Sequence, residues 1–456
     1  MAEFKPFKAY RYQLQKVTLT EVIAPPYDVI SPAGQDRLYQ KSPYNCIRLI
    51  LNRAEAQDSE KQNRYTRARD FLAEWIRQGV LTQEQQPAFY VYQQDFKDIR
   101  SGEQKTRTSI LGRLKLEPFD RGVVIPHEKT LAKPKADRRK LFEATDTNLS
   151  PVFGLYEDAN GEARAQLEAI MSRLCDAEAS DEDGVRHRLW VVQEAAATGA
   201  FSRFMEKRPV YIADGHHRYQ TALDYAADLR AKEGVAAASE QPYDSVLMAL
   251  VAFEDAGISL YPTHRLVTLE KGDAAARLEK LKQYFDVEPA AAENLVQQIE
   301  TSPASQTKFG LLLDGKAWLL SLKDWKAASA KIPAGKPELW YKLDVSLVSH
   351  LILGDLWGVP ESAWENVIRY THSDPEALEW AHKNPAAAVF VLKAPLVSVL
   401  RDMGQARELM PQKSTYFYPK LASGLVMNPL SEDLPAALAK KTQPSAIPAA
   451  ACSKNT

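Results

Sequence analysis

The stretch Tyr211-Ile212-Ala213-Asp214-Gly215-His216-His217-Arg218-Tyr219 gathers an acid, a glycine, two histidines and an arginine. The apolar run 210–213 that leads into it reads as a buried strand. Behind it, Ala222, Tyr225, Ala226 and Leu229 share one face at 3.6-residue spacing, so a helix leaves the junction. A glycine between them lets the backbone approach a ligand closely. The first N–H groups of the helix lack intrahelical partners and favour an anion. Three potentially cationic side chains at that helix start have the wrong sign for its dipole unless something negative binds there. Asp214, at the strand's end, suits a Mg²⁺ ligand or a base that takes a proton from a hydroxyl. Its bland role would be to cap the helix. His216 and His217 point in different directions on a helix, which sets them against ligating one metal together.

Three other clusters carry similar chemistry. His127-Glu128-Lys129-Thr130, with Arg138 downstream, offers a base, an acid and cations for a nucleotide tail; the alternative is a solvated charged face. Thr263-His264-Arg265 follows a predicted strand, and arginine is the better phosphate fork. Lys413-Ser414-Thr415 has the Lys-Ser/Thr of a P-loop without its glycines. The catalytic candidates are therefore Asp214, His216, His217, Glu128 and His127. The phosphate-binding candidates are Gly215, Arg218, Arg138, Arg265, Lys413, Ser414 and Thr415, and Asp214 is the candidate Mg²⁺ ligand. His187, His350, His372 and His382 stand alone and read as structural or surface residues. The chain has neither a G-x-S-x-G elbow nor a G-x-G-x-x-G fingerprint.

These residues need a scaffold, and the 456-residue chain is long enough for two or three domains. It is 45% hydrophobic, and its 58 Lys and Arg against 59 Asp and Glu leave a net charge of −1. No global field recruits nucleic acid or an acidic membrane. The three cysteines, Cys46, Cys175 and Cys452, are widely separated, which fits a reducing compartment. The N-terminus lacks the apolar core of a signal peptide, and no apolar run is long enough to span a bilayer. Together these features predict a cytoplasmic protein with no membrane partner.

Periodicity predicts helices over 65–78, 137–144, 161–175, 195–205, 274–285 and 345–357. It predicts strands over 47–51, 89–96, 106–116, 152–156, 187–192 and 245–253. A hairpin is expected around Asp314-Gly315, an acidic surface loop over 176–184, and a disordered tail from about 432. Strands and helices mix without strict alternation, so the expected class is α+β, with a mixed α/β sheet.

Several blocks, in order, resemble a known family. They are Ala24-Pro25-Pro26-Tyr27-Asp28-Val29, His127-Glu128 with Thr130, Asp137-Arg138 and Ser150-Pro151-Val152-Phe153. The Asp214–Arg218 block and Lys413-Ser414-Thr415-Tyr416-Phe417-Tyr418-Pro419-Lys420 complete the series. The chain resembles domain-of-unknown-function family 1015 over about residues 4–430. The Asp-Gly-His-His-Arg block also resembles the ParB/sulfiredoxin-like superfamily, which includes CTP-hydrolysing clamps, ATP-using sulfiredoxins and a free-serine kinase. That resemblance implies a nucleotide-binding core over 1–268 with an N-terminal elaboration, and a C-terminal α+β region over 269–431 that completes the site. It implies a phosphate cradle at Arg218 and the nearby amides, with ATP, ADP or CTP as cosubstrate. No counterpart of the sulfiredoxin cysteine is present, and no helix-turn-helix follows the core. The expected function is a nucleotide-dependent phosphotransferase or phosphohydrolase acting on a small metabolite such as serine or phosphoserine. The alternatives are a non-catalytic nucleotide- or metabolite-sensing regulator and a ParB-like nuclease. A nucleotide and a small molecule are the expected partners, and the neutral charge sets the chain against nucleic acid.

Overall fold

In a computed structural model, residues 2–129, 132–234, 236, 239–269, 273–303 and 305–442 are described. Nine strands form the larger sheet: β1 (Phe4–Lys5), β2 (Phe89–Lys97), β3 (Gln104–Lys115), β4 (Val124–Ile125), β5 (Val152–Tyr156), β6 (Ala177–Ser180), β7 (Arg186–Val192), β8 (Val210–Asp214) and β9 (Ser245–Ala252). Their order is β4-β8-β5-β9-β3-β2-β7-β6, with β1 beside β3. β8 pairs parallel with β4 and antiparallel with β5, while β9 pairs parallel with β5. The sheet is thus mixed, and the molecule is mixed α/β as its sequence pattern predicts.

The apolar run in β9 is continuous because both faces of the sheet are covered. Val246, Met248 and Leu250 join Val210 and Ile212 on one face. There they meet Phe201, Phe204 and Met205 of helix α1 (Ala195–Met205), and Tyr219, Ala222 and Tyr225 of helix α2 (His216–Glu233). Leu247, Ala249 and Val251 join Tyr211 and Ala213 on the other face, against Phe417 and Met427 of the C-terminal segment. Burying each large side chain contributes about 1.5–3 kcal/mol. The strand–helix junction is therefore anchored from both sides.

A second, six-stranded antiparallel sheet follows. Its strands are β11 (His264–Val267), β12 (Phe285–Ala290), β13 (Lys308–Leu313), β14 (Lys316–Leu322), β15 (Ile368–Thr371) and β16 (Ala388–Val391). Their order is β12-β14-β13-β16-β11-β15. The expected hairpin joins β13 and β14, with Asp314 and Gly315 both at positive φ. The chain then returns to the first sheet. β17 (Tyr416–Tyr418) pairs with β10 (Ser259–Tyr261), Ser423 bridges Ala24, and Met427 bridges Tyr10.

Some expectations fail. Residues 47–51 are not a strand, because Ile47–Ile50 form a short helix with Ile47, Leu49 and Ile50 all buried. The 176–184 loop contributes β6, which pairs with β7. The 345–357 helix widens into a π-helix over Leu347–Leu356. The tail has structure at its start: Leu434–Thr442 is helical, and Leu434 and Leu438 are buried in the core. Residues 443–456 lie outside the described residues. No helix among the described residues is long and apolar enough to cross a membrane.

Candidate functional site

The junction is aimed by a bulge. Ile212 lies opposite Gly154 and Asp214 opposite Phe153, so Ala213 is an extra residue in β8. A bulge bends its strand and turns the following side chain, and here it delivers Asp214 to the sheet's end. Gly215 then takes φ +90°, and α2 begins with no side chain capping it. A Cβ at Gly215 would sit 3.0 Å from the Arg218 guanidinium carbon, because that guanidinium folds back over the glycine. Asp214 is thus not the helix cap; the N-cap position is Gly215, which has no side chain to cap with.

Asp214 is held from two directions. Arg218 donates to Oδ2 at 2.7 Å and Lys420 donates to Oδ1 at 2.9 Å. Burial alone would raise its pKa, but Lys420 and Arg218 outweigh it and hold the carboxyl well below the usual carboxylate range. Arg218 also donates to the Pro151 carbonyl and is itself buried. Lys420 lies 4.3 Å from the centroid of the Tyr416 ring.

The two histidines nearest the junction form a fixed pair. His127 Nδ1 donates to the Ile212 carbonyl at 2.7 Å, so Nε2 accepts from the Thr415 hydroxyl at 2.9 Å. The His127 backbone N–H donates to His216 Nε2 at 3.2 Å, which places the His216 proton on Nδ1. The rings meet edge to face at 4.5 Å. Burial, with His127 alongside, pushes His216 down to about 3, so its imidazole is neutral near pH 7. Glu128 Oε1 accepts from the Ser414 N–H at 3.0 Å. Burial raises the Glu128 pKa, but His127, His216 and Lys413 more than offset this and hold it at about 2. His217 is shifted down by burial and by Lys413.

These groups open into one cleft of about 750 Å³. Its lining includes His127, Glu128, Asp214, Gly215, His216, His217, Arg218, Lys413 and Thr415. Sequence blocks centred near 28, 127, 214 and 413 therefore meet in space. Lys413 is exposed at the cleft with φ +57°. The lining also includes Ile368, Arg369 and Tyr370 of β15 and His372, which stacks on Tyr416 at 3.4 Å. An adjoining hollow of about 270 Å³ shares Val29, Tyr416 and Lys420 with the cleft.

Three expected phosphate ligands lie outside the lining. The Arg138 guanidinium pairs with Asp137, donates to the Ile50 carbonyl at 2.9 Å and covers the Tyr27 ring at 3.7 Å. It supports the cleft-lining Tyr27-Asp28 turn and has little left to offer an anion. Arg265 is 1% exposed and donates to the Thr263 and Gln412 carbonyls, so it holds the loop that carries Lys413. Ser414 is buried, with its hydroxyl on the Pro411 carbonyl. Thr130 lies outside the described residues. Asp214, the expected Mg²⁺ ligand, lines the cleft with each of its oxygens bonded to a cationic side chain. No group of three His, Cys, Asp or Glu among the described residues is arranged to hold a metal ion.

Lys420, His372 and Asp28 are cleft residues that the sequence did not single out by chemistry. Lys420 and Asp28 lie in blocks that carried the family resemblance, which was their only signal. His372 was set aside as an isolated histidine. Burial, with Lys420 nearby, lowers its pKa to about 4.

The molecule is thus a mixed α/β protein with a polar cleft at the end of its larger sheet. The chain belongs to DUF1015, a family of proteins of unknown function, whose pattern matches residues 4–346. No curated protein matches it. Among solved structures, a mutant free serine kinase in complex with AMP aligns with 68% of this chain and 87% of its own, at 15% identity and a TM-score of 0.33. A conserved hypothetical protein from Pyrococcus furiosus aligns with 69% of this chain and 92% of its own, at 15% identity and 0.32. SbnI with a C-terminal truncation, from Staphylococcus aureus, aligns with 70% of this chain and 87% of its own, at 11% identity and 0.33.

Proposed function

We propose that the cleft binds a nucleotide by its phosphates and catalyses phosphoryl transfer between that nucleotide and a small hydroxylated metabolite. One observation carries the reading. The uncapped start of an 18-residue helix, the exposed Lys413 and two ionised carboxylates, Glu128 and Asp214, converge on a single cleft. Helix amides and a lysine neutralise phosphate charge, and phosphoryl transfer needs little beyond positioning and charge stabilisation.

In this reading the start of α2, with Gly215 and Arg218, and the Lys413 ammonium hold the phosphates. Glu128 orients the acceptor hydroxyl. As the hydroxyl oxygen bonds to the terminal phosphorus and the bridging P–O bond breaks, neutral His217 takes the hydroxyl proton. His127 and His216, locked to each other and to Ile212 and Thr415, keep Glu128 in place. Asp214 keeps Arg218 and Lys420 aligned. The ParB/sulfiredoxin-like character of the Asp214 junction belongs to this same proposal. Serine and phosphoserine, which the resemblance implies, are the first acceptor and product to test.

The test combines calorimetric binding of ATP, ADP, CTP and GTP with ³¹P NMR of each mixture, with and without serine. Binding together with a new phosphomonoester signal is expected. Binding without any product would make the protein a nucleotide sensor, and no binding of any nucleotide would overturn the proposal.

A further inference from the structure

Lys420 reaches Asp214 across 206 positions of sequence, so something must fix the backbone that carries it. That backbone, from Tyr418 to Ala422, crosses one face of the larger sheet. Three polar side chains on this face are 0–1% exposed: Tyr92 and Gln94, alternate residues of β2, and Arg107 of β3, which is the register partner of Gln94. Arg107 donates to the carbonyls of Tyr418, at 3.3 Å, and Pro419. It also donates to Gln94 Oε1 at 2.5 Å. The Gln94 amide then donates to the Lys420 carbonyl at 3.0 Å. The Tyr92 hydroxyl accepts from the Ala422 N–H at 3.3 Å and meets His187 Nδ1 at 2.7 Å, while the other His187 ring nitrogen lies 3.1 Å from Asp181.

We propose that Arg107, Gln94 and Tyr92 are positioning residues that set the register of the 418–422 segment and so hold Lys420 on Asp214. Each grips a backbone group within two residues of Lys420. Arg107 is the telling member. A buried guanidinium carries a desolvation penalty that a carboxylate usually offsets. The described hydrogen-bond partners of this one are two backbone carbonyls and an amide oxygen. A neutral side chain could fill the same space without that penalty but could not fork across two successive carbonyls. Slipping the segment by one residue would carry Lys420 away from Asp214, leaving the acid to Arg218 alone and a cation out of place. Only the ligand arm of the test below depends on the cleft being a phosphate site.

The first arm is reductive dimethylation of the intact protein, with labelling of each lysine followed by mass spectrometry. Arg107→Met should raise the labelling rate of Lys420 at least about fivefold, less than the factor of ten equal to 1.4 kcal/mol. Lys413 and Lys105 should keep their rates. Gln94→Leu removes one grip without removing a charge and should give a smaller rise at the same residue, which keeps the test available if Arg107→Met folds poorly. Unchanged labelling of Lys420 in either folded variant, or an equal rise at all three lysines, overturns the proposal. The second arm is a double-mutant cycle on ADP affinity with Arg107→Met and Lys420→Met. Arg107 acting through Lys420 makes the double variant no weaker than Lys420→Met alone, whereas additive losses would mean a merely structural arginine. If no nucleotide binds the unmodified protein, the phosphate reading falls and the labelling arm still decides the positioning.

Discussion

Replacing Gly215 by alanine tests the junction most directly, and its size can be worked out against a control within the same chain. Gly215 and Gly161 both precede helices at positive φ, +90° and +70°. Alanine at either position takes on a left-handed conformation costing about 1–2 kcal/mol. At Gly161 the new Cβ would meet only the exposed end of Arg164, at 3.4 Å, which can swing away. At Gly215 it would lie 3.0–3.1 Å from the Arg218 guanidinium, which is pinned to Asp214 and Pro151. Displacing it forfeits a charge-assisted hydrogen bond worth about 1.5–3 kcal/mol. Gly215→Ala should therefore cost roughly 2.5–5 kcal/mol and Gly161→Ala about 1–2, a gap of more than tenfold in local opening. Hydrogen exchange of the amides over 211–219 reads that opening without requiring the whole chain to unfold in one step. Gly215→Asn separates the two costs, because asparagine tolerates the left-handed region but keeps the Cβ. It should recover part of the loss, not all of it. Equal effects of alanine at 215 and 161 would mean that Arg218 yields freely, and the account of the junction would be wrong.

Other outcomes follow from the same contacts. His216 is held at about 3 in the folded protein against an ordinary value of 6.5, so the unfolded chain takes the proton first as pH falls. Its contribution to stability is complete above about 6.5 and is lost as pH falls toward 3, at up to about 1.4 kcal/mol per pH unit. Melting His216→Gln between these limits should show a flatter acid slope, and an unchanged slope refutes the assignment. Lys413→Ala should weaken ADP about tenfold, or about 1.4 kcal/mol, in calorimetry at low salt. The loss should shrink above ~0.15 M, where the screening length falls below about 8 Å, while the melting midpoint should move little, because Lys413 is exposed and is one of several groups that hold Glu128 ionised. Leu438→Ala should destabilise the fold by about 2–5 kcal/mol, as a buried core leucine does; an unmoved thermal midpoint would mean that the 434–442 helix packs loosely.

The parts of this structure that could be read from the sequence are those where local pattern and burial agree. The unbroken apolar run of β9 and the strand–glycine–helix step at Asp214 are written in adjacent residues. The 47–51 segment shows the opposite case. Ile-Arg-Leu-Ile fits a strand or one helical turn equally well, and packing against residues far along the chain decides. The site divides in the same way. That Asp214, Gly215 and Arg218 belong together was legible, because they share one turn. Arg138 was misread because a guanidinium's usefulness depends on what already occupies it, here Asp137, Ile50 and Tyr27. Lys420 and His372 were missed for a related reason. Their chemistry exists only through Asp214 and Tyr416, and no local spacing announces a partner 206 residues away.

The return of the chain from the second sheet to the first bears on synthesis. Closing the Asp214–Lys420 contact ties off a loop that contains the whole second sheet, and loop entropy is met before such a contact stabilises anything. During translation the Asp214 junction leaves the ribosome early, with Arg218 but without its second cation. The carboxylate, the lysine above it and the wall at Tyr416 come together only once residues near 420 have emerged. A nascent chain can therefore complete α1 and α2, on either side of the junction in sequence, while its cleft still lacks one side.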